Sequence, residues 1–307
     1  MIKFLSALMI ILMLAGCSGC MLPMIGKQKV NLSLSPLFTP KPAKTAVIVQ
    51  LFGEVSEEWT VDVEKALQNP RCSLVVLWIE SPGGSVTETK LLTHKLKVLQ
   101  RKYNKPIYVY SERILASGAY WVASAFEKIV ISPAGYAGSI GVYMIREDYS
   151  GLYDMLGLKY HYIASDSTKV MGNNATPMKD WERGYWQWTI NNIHIKFLNH
   201  IWSYRSAQLI ESYQHRNQRF ITTRQDTLLA KVQFRQIANG TLYNSKYAIS
   251  MGLIDSVLYF DKFVKFLQEE GFIVMTTEEK MITDFYPFNA KKLEENRAQK
   301  TWDHLQV

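Results

Sequence analysis

The chain has 307 residues, 48% of them hydrophobic and 20% charged, a balance that excludes a disordered protein or a multi-span membrane protein. This length suffices for one large α/β domain or two small ones. The formal charge is +8, but no block of Lys and Arg stands out, so the sequence does not support nucleic-acid binding and we expect none. A mild attraction to an anionic membrane surface fits that charge at least as well.

The N-terminus has the pattern of a secretory signal. Lys3 precedes an apolar run over 4–14 that is too short to span a bilayer comfortably. Residues 14–17, Leu-Ala-Gly-Cys, resemble the lipobox of bacterial lipoproteins. That resemblance implies removal of a signal peptide over 1–16 and a lipid anchor on Cys17, with the protein in the bacterial cell envelope, facing the periplasm or the cell exterior. The alternative is an ordinary signal peptide followed by a chance cysteine.

The rest of the chain alternates between two kinds of pattern. Residues 17–44 contain Gly, Pro, Ser and Lys without a sustained period and indicate a tether, so folded structure should begin at Thr45. Beyond it, short apolar runs that predict buried strands alternate with segments of helical period. The predicted strands are 46–51, 74–79, 106–110 and 129–131, and the first predicted helices are 61–67 and 86–102. This alternation predicts an α/β fold with a mainly parallel sheet.

Two loops at the ends of predicted strands carry candidate site residues. In Glu-Ser-Pro-Gly-Gly-Ser, residues 80–85, the paired glycines Gly83 and Gly84 let backbone N–H groups face a cleft and stabilise an oxyanion, although Pro-Gly-Gly is also a common turn. In Ala-Ser-Gly-Ala-Tyr-Trp, residues 116–121, Ser117 lies between a strand and a helix, as a nucleophile or as an ordinary N-cap. Ligands bind outside the carboxyl ends of strands in such sheets, which favours a shared site.

Two later segments could complete that site. Residues 137–142, Ala-Gly-Ser-Ile-Gly-Val, are small and punctuated by glycine, which indicates backbone close to a site. Residues 165–178 are polar and irregular and carry Lys169 between apolar neighbours. A buried, neutral lysine amine can take the proton of a serine hydroxyl, although an isolated lysine is usually a solvated surface charge.

These segments, with Met-Gly-Leu-Ile-Asp at 251–255, occur in the order and spacing of the signal peptide peptidase A (SppA) family of serine peptidases, over roughly 45–257. The resemblance implies a ClpP/crotonase-like fold, built of repeated β-β-α units with a mainly parallel sheet and an α-helical extension. It also implies a Ser–Lys dyad. The implied roles are nucleophile for Ser117, general base for Lys169, orientation of the lysine for Ser139, and oxyanion binding for Gly83, Gly84 and Gly118.

The same resemblance bears on domains and assembly. It implies a peptidase domain over 45–260, followed by a charged extension over 261–307. The motifs occur once, as in short members of the family, in which adjacent subunits of a ring complete the dyad, so we expect a homo-oligomer. The aromatic-rich helix predicted over 180–214 then belongs to the core or to a subunit contact rather than to a ligand cage.

The sequence therefore predicts a membrane-anchored serine endopeptidase without cofactor or metal, acting on remnant signal peptides or other membrane-associated peptides. Within that prediction His161, on a predicted strand, is an alternative base, because triads are defined by geometry rather than spacing. Two further alternatives are a non-catalytic membrane scaffold of the same fold and a crotonase-like acyl-CoA enzyme. The three candidate side chains Ser117, Lys169 and Ser139 occur together, which argues against the scaffold, and the secretory signal argues against the acyl-CoA enzyme.

Overall fold

The computed structural model describes residues 44–218 and 223–277, all of which lie in one compact unit. The strands are β1 (Lys44–Phe52), β2 (Cys72–Glu80), β3 (Ile107–Ser111), β4 (Ile114–Ala116), β5 (Lys128–Ile131), β6 (Tyr136–Gly138), β7 (Leu242–Asn244), β8 (Ser256–Val257) and β9 (Phe272–Thr276). The helices are α1 (Trp59–Gln68), α2 (Val86–Tyr103), α3 (Gly118–Ser124), α4 (Ser150–Met155), α5 (Asp180–Asn217), α6 (Arg224–Ile237), α7 (Ser245–Ser250) and α8 (Phe260–Glu269).

Six strands form the main sheet, in the order β8-β5-β3-β2-β1-β9, and every pairing in it is parallel. A smaller sheet has the order β4-β6-β7, with β4 and β6 parallel. A main-sheet strand, a small-sheet strand and a helix follow one another in β3-β4-α3, which is a β-β-α unit. The predicted α/β class with a mainly parallel sheet is confirmed.

The main sheet is buried on both faces, which explains why its strands are continuous apolar runs. Val75, Leu77 and Ile79 of β2 pack into one core with the helices α1, α2, α3 and α5. The alternate residues Val76 and Trp78 pack into a second core with helix α8. The central strands are therefore held rigidly, and loops at their carboxyl ends have a fixed frame.

Helix α5 is tied to the segment 251–255 by a buried ion pair. Its backbone departs from helical geometry at Arg205, with φ −121° and ψ 15°. The guanidinium of Arg205 donates to both carboxylate oxygens of Asp255, at 3.1 and 2.8 Å, and to the carbonyl of Gly252. Asp255 also accepts from the N–H of Ile129 in β5. The ion pair therefore joins the long helix to the sheet. The segment 251–255 thus has a structural role.

Two sequence predictions are wrong. The folded unit does not end at 260, because helix α8 covers the sheet and β9 pairs with β1 as an edge strand. The segment around His161 is not a strand: it is irregular, and His161 is exposed. Strand propensity in that segment was misleading because its side chains find no sheet to cover them.

Some predictions fall outside the described residues. The signal peptide, Cys17, nearly all of the tether and the end of the charged extension lie there. Within 44–218 and 223–277, no helix is both long enough and apolar enough to cross a membrane.

Candidate active site

Ser117 occupies a strained turn between β4 and α3. Its backbone has φ 52° and ψ −122°, a conformation that a residue with a side chain seldom adopts. The turn is fixed on both sides: Ser117 N donates to the carbonyl of Gly138 at 2.9 Å, and Ser117 O accepts from Trp121 N at 3.0 Å. The Ser117 side chain makes no capping hydrogen bond, so the N-cap alternative is wrong. Strain of this kind concentrates at functional sites.

Gly83 and Gly84 lie directly against this turn. A Cβ on Gly83 would fall 2.7 Å from Ser117 Cβ and 2.9 Å from Gly118 N, so the loop and the turn are in contact. Neither Gly84 N nor Gly118 N donates a hydrogen bond to any described residue. Two unpaired amides next to a hydroxyl can receive the oxygen of an attacked carbonyl. The structure thus brings Gly83, Gly84, Ser117 and Gly118 together, as the sequence predicts.

Ser139 ends the neighbouring strand in the same way as Ser117. Ala116 of β4 pairs with Gly138 of β6, so the serines that follow each strand lie at the same edge of the small sheet. Ser139 also has a positive φ, 50°, and its N–H donates to the carbonyl of Thr241 at 2.8 Å. The two serines are therefore presented side by side by adjacent parallel strands.

A small cavity of about 20 Å³ opens beside Ser117. The aromatic ring of Trp121 forms part of its wall, stacked on His200 at 4.7 Å and tilted against Phe197 at 4.8 Å, both on α5. The other lining residues are Gly84, Val86, Thr89, Gly118, Gly141, Val142 and Ile193. The site is thus enclosed by the loop 82–85, the first turn of α2, helix α3 and the middle of α5.

Lys169 does not reach this cavity within one chain. It lies on a short 3₁₀ turn, Ser167–Val170, is exposed, and is not among the residues that line the space next to Ser117. The expectation that its apolar neighbours bury it is wrong for the single chain. His161 is exposed as well and does not line the cavity, so a single chain supplies neither residue as a base.

The sequence did not single out two buried residues that shape the site. Glu80, the first residue of the Glu-Ser-Pro-Gly-Gly-Ser segment, accepts hydrogen bonds from the N–H groups of Glu112, Arg113 and Ile114, and so fixes the connection that leads into β4. Thr89 lies 2% exposed in the first turn of α2, against Gly118. A carboxylate at the end of an apolar strand was a usable signal for Glu80, whereas a threonine within a helix gave none.

Within the two described ranges, no group of three or more His, Cys, Asp or Glu side chains could hold a metal ion. The chemistry that the described residues offer is a hydroxyl held on a strained turn beside free backbone amides. Such an arrangement defines a candidate acyl-transfer site on an α/β scaffold.

Comparison with known proteins agrees with this class. Residues 99–227, which include Ser117, Ser139 and Lys169, match the model of peptidase family S49. The chain is therefore similar to this family over that segment, which makes up less than half of its length.

Several curated relatives of the chain are proteases by name. A putative protease of Methanocaldococcus jannaschii is 31% identical over 183 residues, covering 60% of this chain and 51% of that protein. A putative signal peptide peptidase SppA of Enterococcus faecium is 23% identical over 214 residues, covering 70% of this chain and 56% of that protein. The chain thus spans about half the length of these relatives.

A solved structure also matches. It is the 1510-N membrane-bound stomatin-specific protease in complex with a substrate peptide, at 12% identity and a TM-score of 0.42, covering 73% of this chain and 80% of that one. At that level of similarity it indicates neither the substrate nor the site of this chain.

Proposed function

We propose that the protein is a serine peptidase in which Ser117 is the nucleophile and Lys169 of a neighbouring copy is the general base. The observation that carries the proposal is the strained turn at Ser117, next to the unpaired amides of Gly84 and Gly118. The match of residues 99–227 to the model of peptidase family S49 supports peptides as the substrate class.

The position of Lys169 supports a dyad between copies rather than within one chain. Lys169 is exposed and does not line the Ser117 cavity. Just before it, between residues 143 and 163, eleven large apolar side chains are exposed, including Tyr143, Ile145 and Met155. Apolar surface of this extent is typical of a contact with another protein, so the lysine is carried on a segment suited to such a contact. A ring of copies would supply each Ser117 with the Lys169 of the next.

The proposed reaction proceeds in two steps. Lys169 takes the proton of the Ser117 hydroxyl while Oγ bonds to the substrate carbonyl carbon, and the amides of Gly84 and Gly118 stabilise the oxyanion. The C–N bond breaks, and the leaving amine receives the proton from Lys169. Water then attacks the acyl ester, gives a proton to Lys169 and releases the peptide acid, and that proton returns to Ser117. Ser139 orients the lysine amine from the adjacent strand.

Covalent labelling tests the nucleophile directly. A fluorophosphonate probe should modify wild-type protein at Ser117, as mapped by mass spectrometry of the labelled peptide, and Ser117→Ala should remove the label. Ser139→Ala is the matched control, since it alters the adjacent positive-φ serine but keeps the nucleophile, and it should retain part of the labelling. Labelling of another serine, with Ser117 unmodified, would contradict the proposal.

The proposed setting is the bacterial cell envelope, with a lipid on Cys17 and membrane-associated peptides such as remnant signal peptides as substrates. It is supported by the lipobox-like Leu-Ala-Gly-Cys at 14–17 and by the E. faecium relative's name. Cys17→Ser should leave the precursor unprocessed or release the protein from the membrane fraction, as measured by fractionation and intact mass. Cys20→Ser, three residues on, is the control and should change neither. Normal processing and attachment of Cys17→Ser would refute the anchor.

A further inference from the structure

The hydroxyl of Thr89 is a buried polar group without a partner. Thr89 is 2% exposed, and its Oγ1 makes no hydrogen bond with any described residue. Thr93, one turn further along α2, shows what such a hydroxyl normally does: it donates to the carbonyl four residues earlier, that of Thr89, at 2.7 Å. Thr89 Oγ1 does not make the equivalent bond to the Ser85 carbonyl. That carbonyl accepts from the backbone N–H of Thr89 at 3.0 Å. Buried hydroxyls are almost always paired, so this one is available for a ligand.

The unpaired hydroxyl faces the cavity beside Ser117. A Cβ placed on Gly118 would lie 2.4 Å from Thr89 Oγ1, so the hydroxyl lies directly against the turn that carries Ser117. Thr89 is itself one of the residues that line the cavity. Apart from Ser117, Thr89 and the indole of Trp121, the side chains of its wall carry no polar atoms.

The size of the cavity limits what can pair with that hydroxyl. Its volume of about 20 Å³ is close to the smallest space that holds one water molecule. A substrate side chain that fills it is therefore small. A side chain with its own hydroxyl can pair with Thr89, whereas an apolar side chain of the same size leaves Thr89 buried and unpaired.

We propose that Thr89 is a specificity-determining residue that selects a small, hydroxyl-bearing side chain, serine above all, at the substrate residue whose carbonyl Ser117 attacks. This inference rests on the proposed peptidase function and adds the substrate class of its cavity. A site built to hydrogen-bond a hydroxyl discriminates against analogues that lack it, because its own polar group is then left unpaired.

The test uses two peptide pools with the full-length protein. The pools are randomised at all positions except one, which is serine in the first pool and 2-aminobutyrate, its apolar isostere, in the second. Cleavage after the fixed residue is quantified by mass spectrometry. Wild type should favour serine roughly fivefold to tenfold in kcat/KM, which is the usual worth of one buried hydrogen bond.

Three variants separate the specific role from a structural one. Thr89→Val should abolish or reverse the preference for serine, and Thr89→Ser should preserve it. Thr93→Val removes a buried hydroxyl from the same helix, away from the cavity lining, and should keep the preference. The decisive readout is the ratio between the two pools, which loss of stability alone would not move.

The possible outcomes are distinguishable. Equal cleavage of both pools by wild type would overturn the role of Thr89 and leave the peptidase function standing. If Thr89→Val lowered kcat/KM by the same factor for both pools, the hydroxyl would contact a group that all substrates share. That result would also overturn the inference. Cleavage of neither pool, with Ser117 unlabelled by fluorophosphonate, would refute the peptidase function and this inference with it.

Discussion

Gly83 is the residue at which backbone geometry and the candidate nucleophile meet. Its φ is +114°, and a Cβ there would fall 2.7 Å from Ser117 Cβ. We expect Gly83→Ala to lose nearly all fluorophosphonate labelling of Ser117, because either the loop or the serine must move and the amide of Gly84 moves with the loop. The rate of labelling, measured on folded protein, checks this.

Gly53 provides the matched control for that substitution. Its φ is also positive, +92°, but a Cβ there meets nothing within 4 Å. Gly53→Ala and Gly83→Ala should both lose stability, about 1–3 kcal/mol from backbone strain, as measured by urea denaturation. Only Gly83→Ala should lose labelling. If both variants kept normal labelling, contact between the loop and Ser117 would be irrelevant to reactivity.

At the scale of residues, the sequence predicted those site residues that stand in short, recognisable motifs. Gly83, Gly84 and Ser117 stand in short motifs whose residue types have a direct backbone meaning, so their proximity could be anticipated. The importance of Thr89 depends on a contact with Gly118, 29 positions away in the chain, and on a hydrogen bond that is not made. Neither is visible in a pattern of residue types.

At the scale of elements, His200 ties the long helix α5 to the helix that follows Ser117. Its ring stacks on Trp121 at 4.7 Å, and its Nε2 donates to the carbonyl of Trp121 at 3.0 Å. Burial lowers the pKa of His200 to about 4; the hydrogen bond with Trp121 raises it and the charge of Lys97 lowers it further. The imidazole is therefore held neutral in the fold and charges readily once the chain unfolds.

The sign of the pH effect follows from that pKa. Above about 6.5, the usual value for histidine, neither state binds the proton and the contact contributes fully to stability. As pH falls from 6.5 toward 4, the unfolded chain binds a proton that the fold does not, so the free energy of unfolding should decrease by up to about 3 kcal/mol. Urea denaturation at pH 7 and pH 5 measures the decrease.

Two variants isolate this contribution from other titrating groups. His200→Phe keeps an aromatic ring against Trp121 but cannot titrate, so its stability should fall less between pH 7 and pH 5 than that of wild type. His215→Gln, which removes an exposed histidine of the same helix, is the matched control substitution. An identical pH dependence in wild type and His200→Phe would show that His200 is not the group responsible.

The strands and helices that are most completely buried were the ones that the sequence predicted correctly. Strands β1, β2, β3 and β5 are continuous apolar runs because both faces of the main sheet are covered, and helices α1 and α2 carry a periodic apolar face. The segment 157–166 has strand-like composition but is exposed and irregular, so its apolar residues do not belong to the core. Strand β9 was missed because a charged helix precedes it and pairing with β1 is not encoded locally.

At the scale of the whole molecule, the separation of the two candidate catalytic groups is the main constraint. Ser117 lies on the enclosed rim built by the loop 82–85 and the helices α2, α3 and α5, whereas Lys169 is exposed on a different segment. In one chain, Lys169 does not line the cavity beside Ser117, so the structure does not bring the two side chains to one atom. The sequence could indicate both residues by resemblance, but not their separation, because that depends on where the irregular segment 143–178 is placed.

Mixing two inactive proteins tests whether neighbouring copies complete the site. Ser117→Ala and Lys169→Ala should each be inactive alone, and the double variant should be no worse, since each group is useless without the other. When the two single variants are mixed under conditions that allow exchange of copies, some interfaces join an intact Ser117 to an intact Lys169. For random mixing at equal amounts in a ring, about a quarter of the sites should be restored, and peptidase activity should recover toward that fraction.

The controls decide how a negative result is interpreted. Ser117→Ala mixed with the double variant has no serine in any copy and must stay inactive, whatever the degree of exchange. Native mass spectrometry of differently labelled copies verifies that mixed oligomers form. Stable mixed oligomers without recovered activity would place the base in the same chain as Ser117 and would require movement of the segment 165–178 toward the cavity. Recovery without detectable oligomers would be equally inconsistent with a ring, since the complementing lysine would then have no fixed place from which to act.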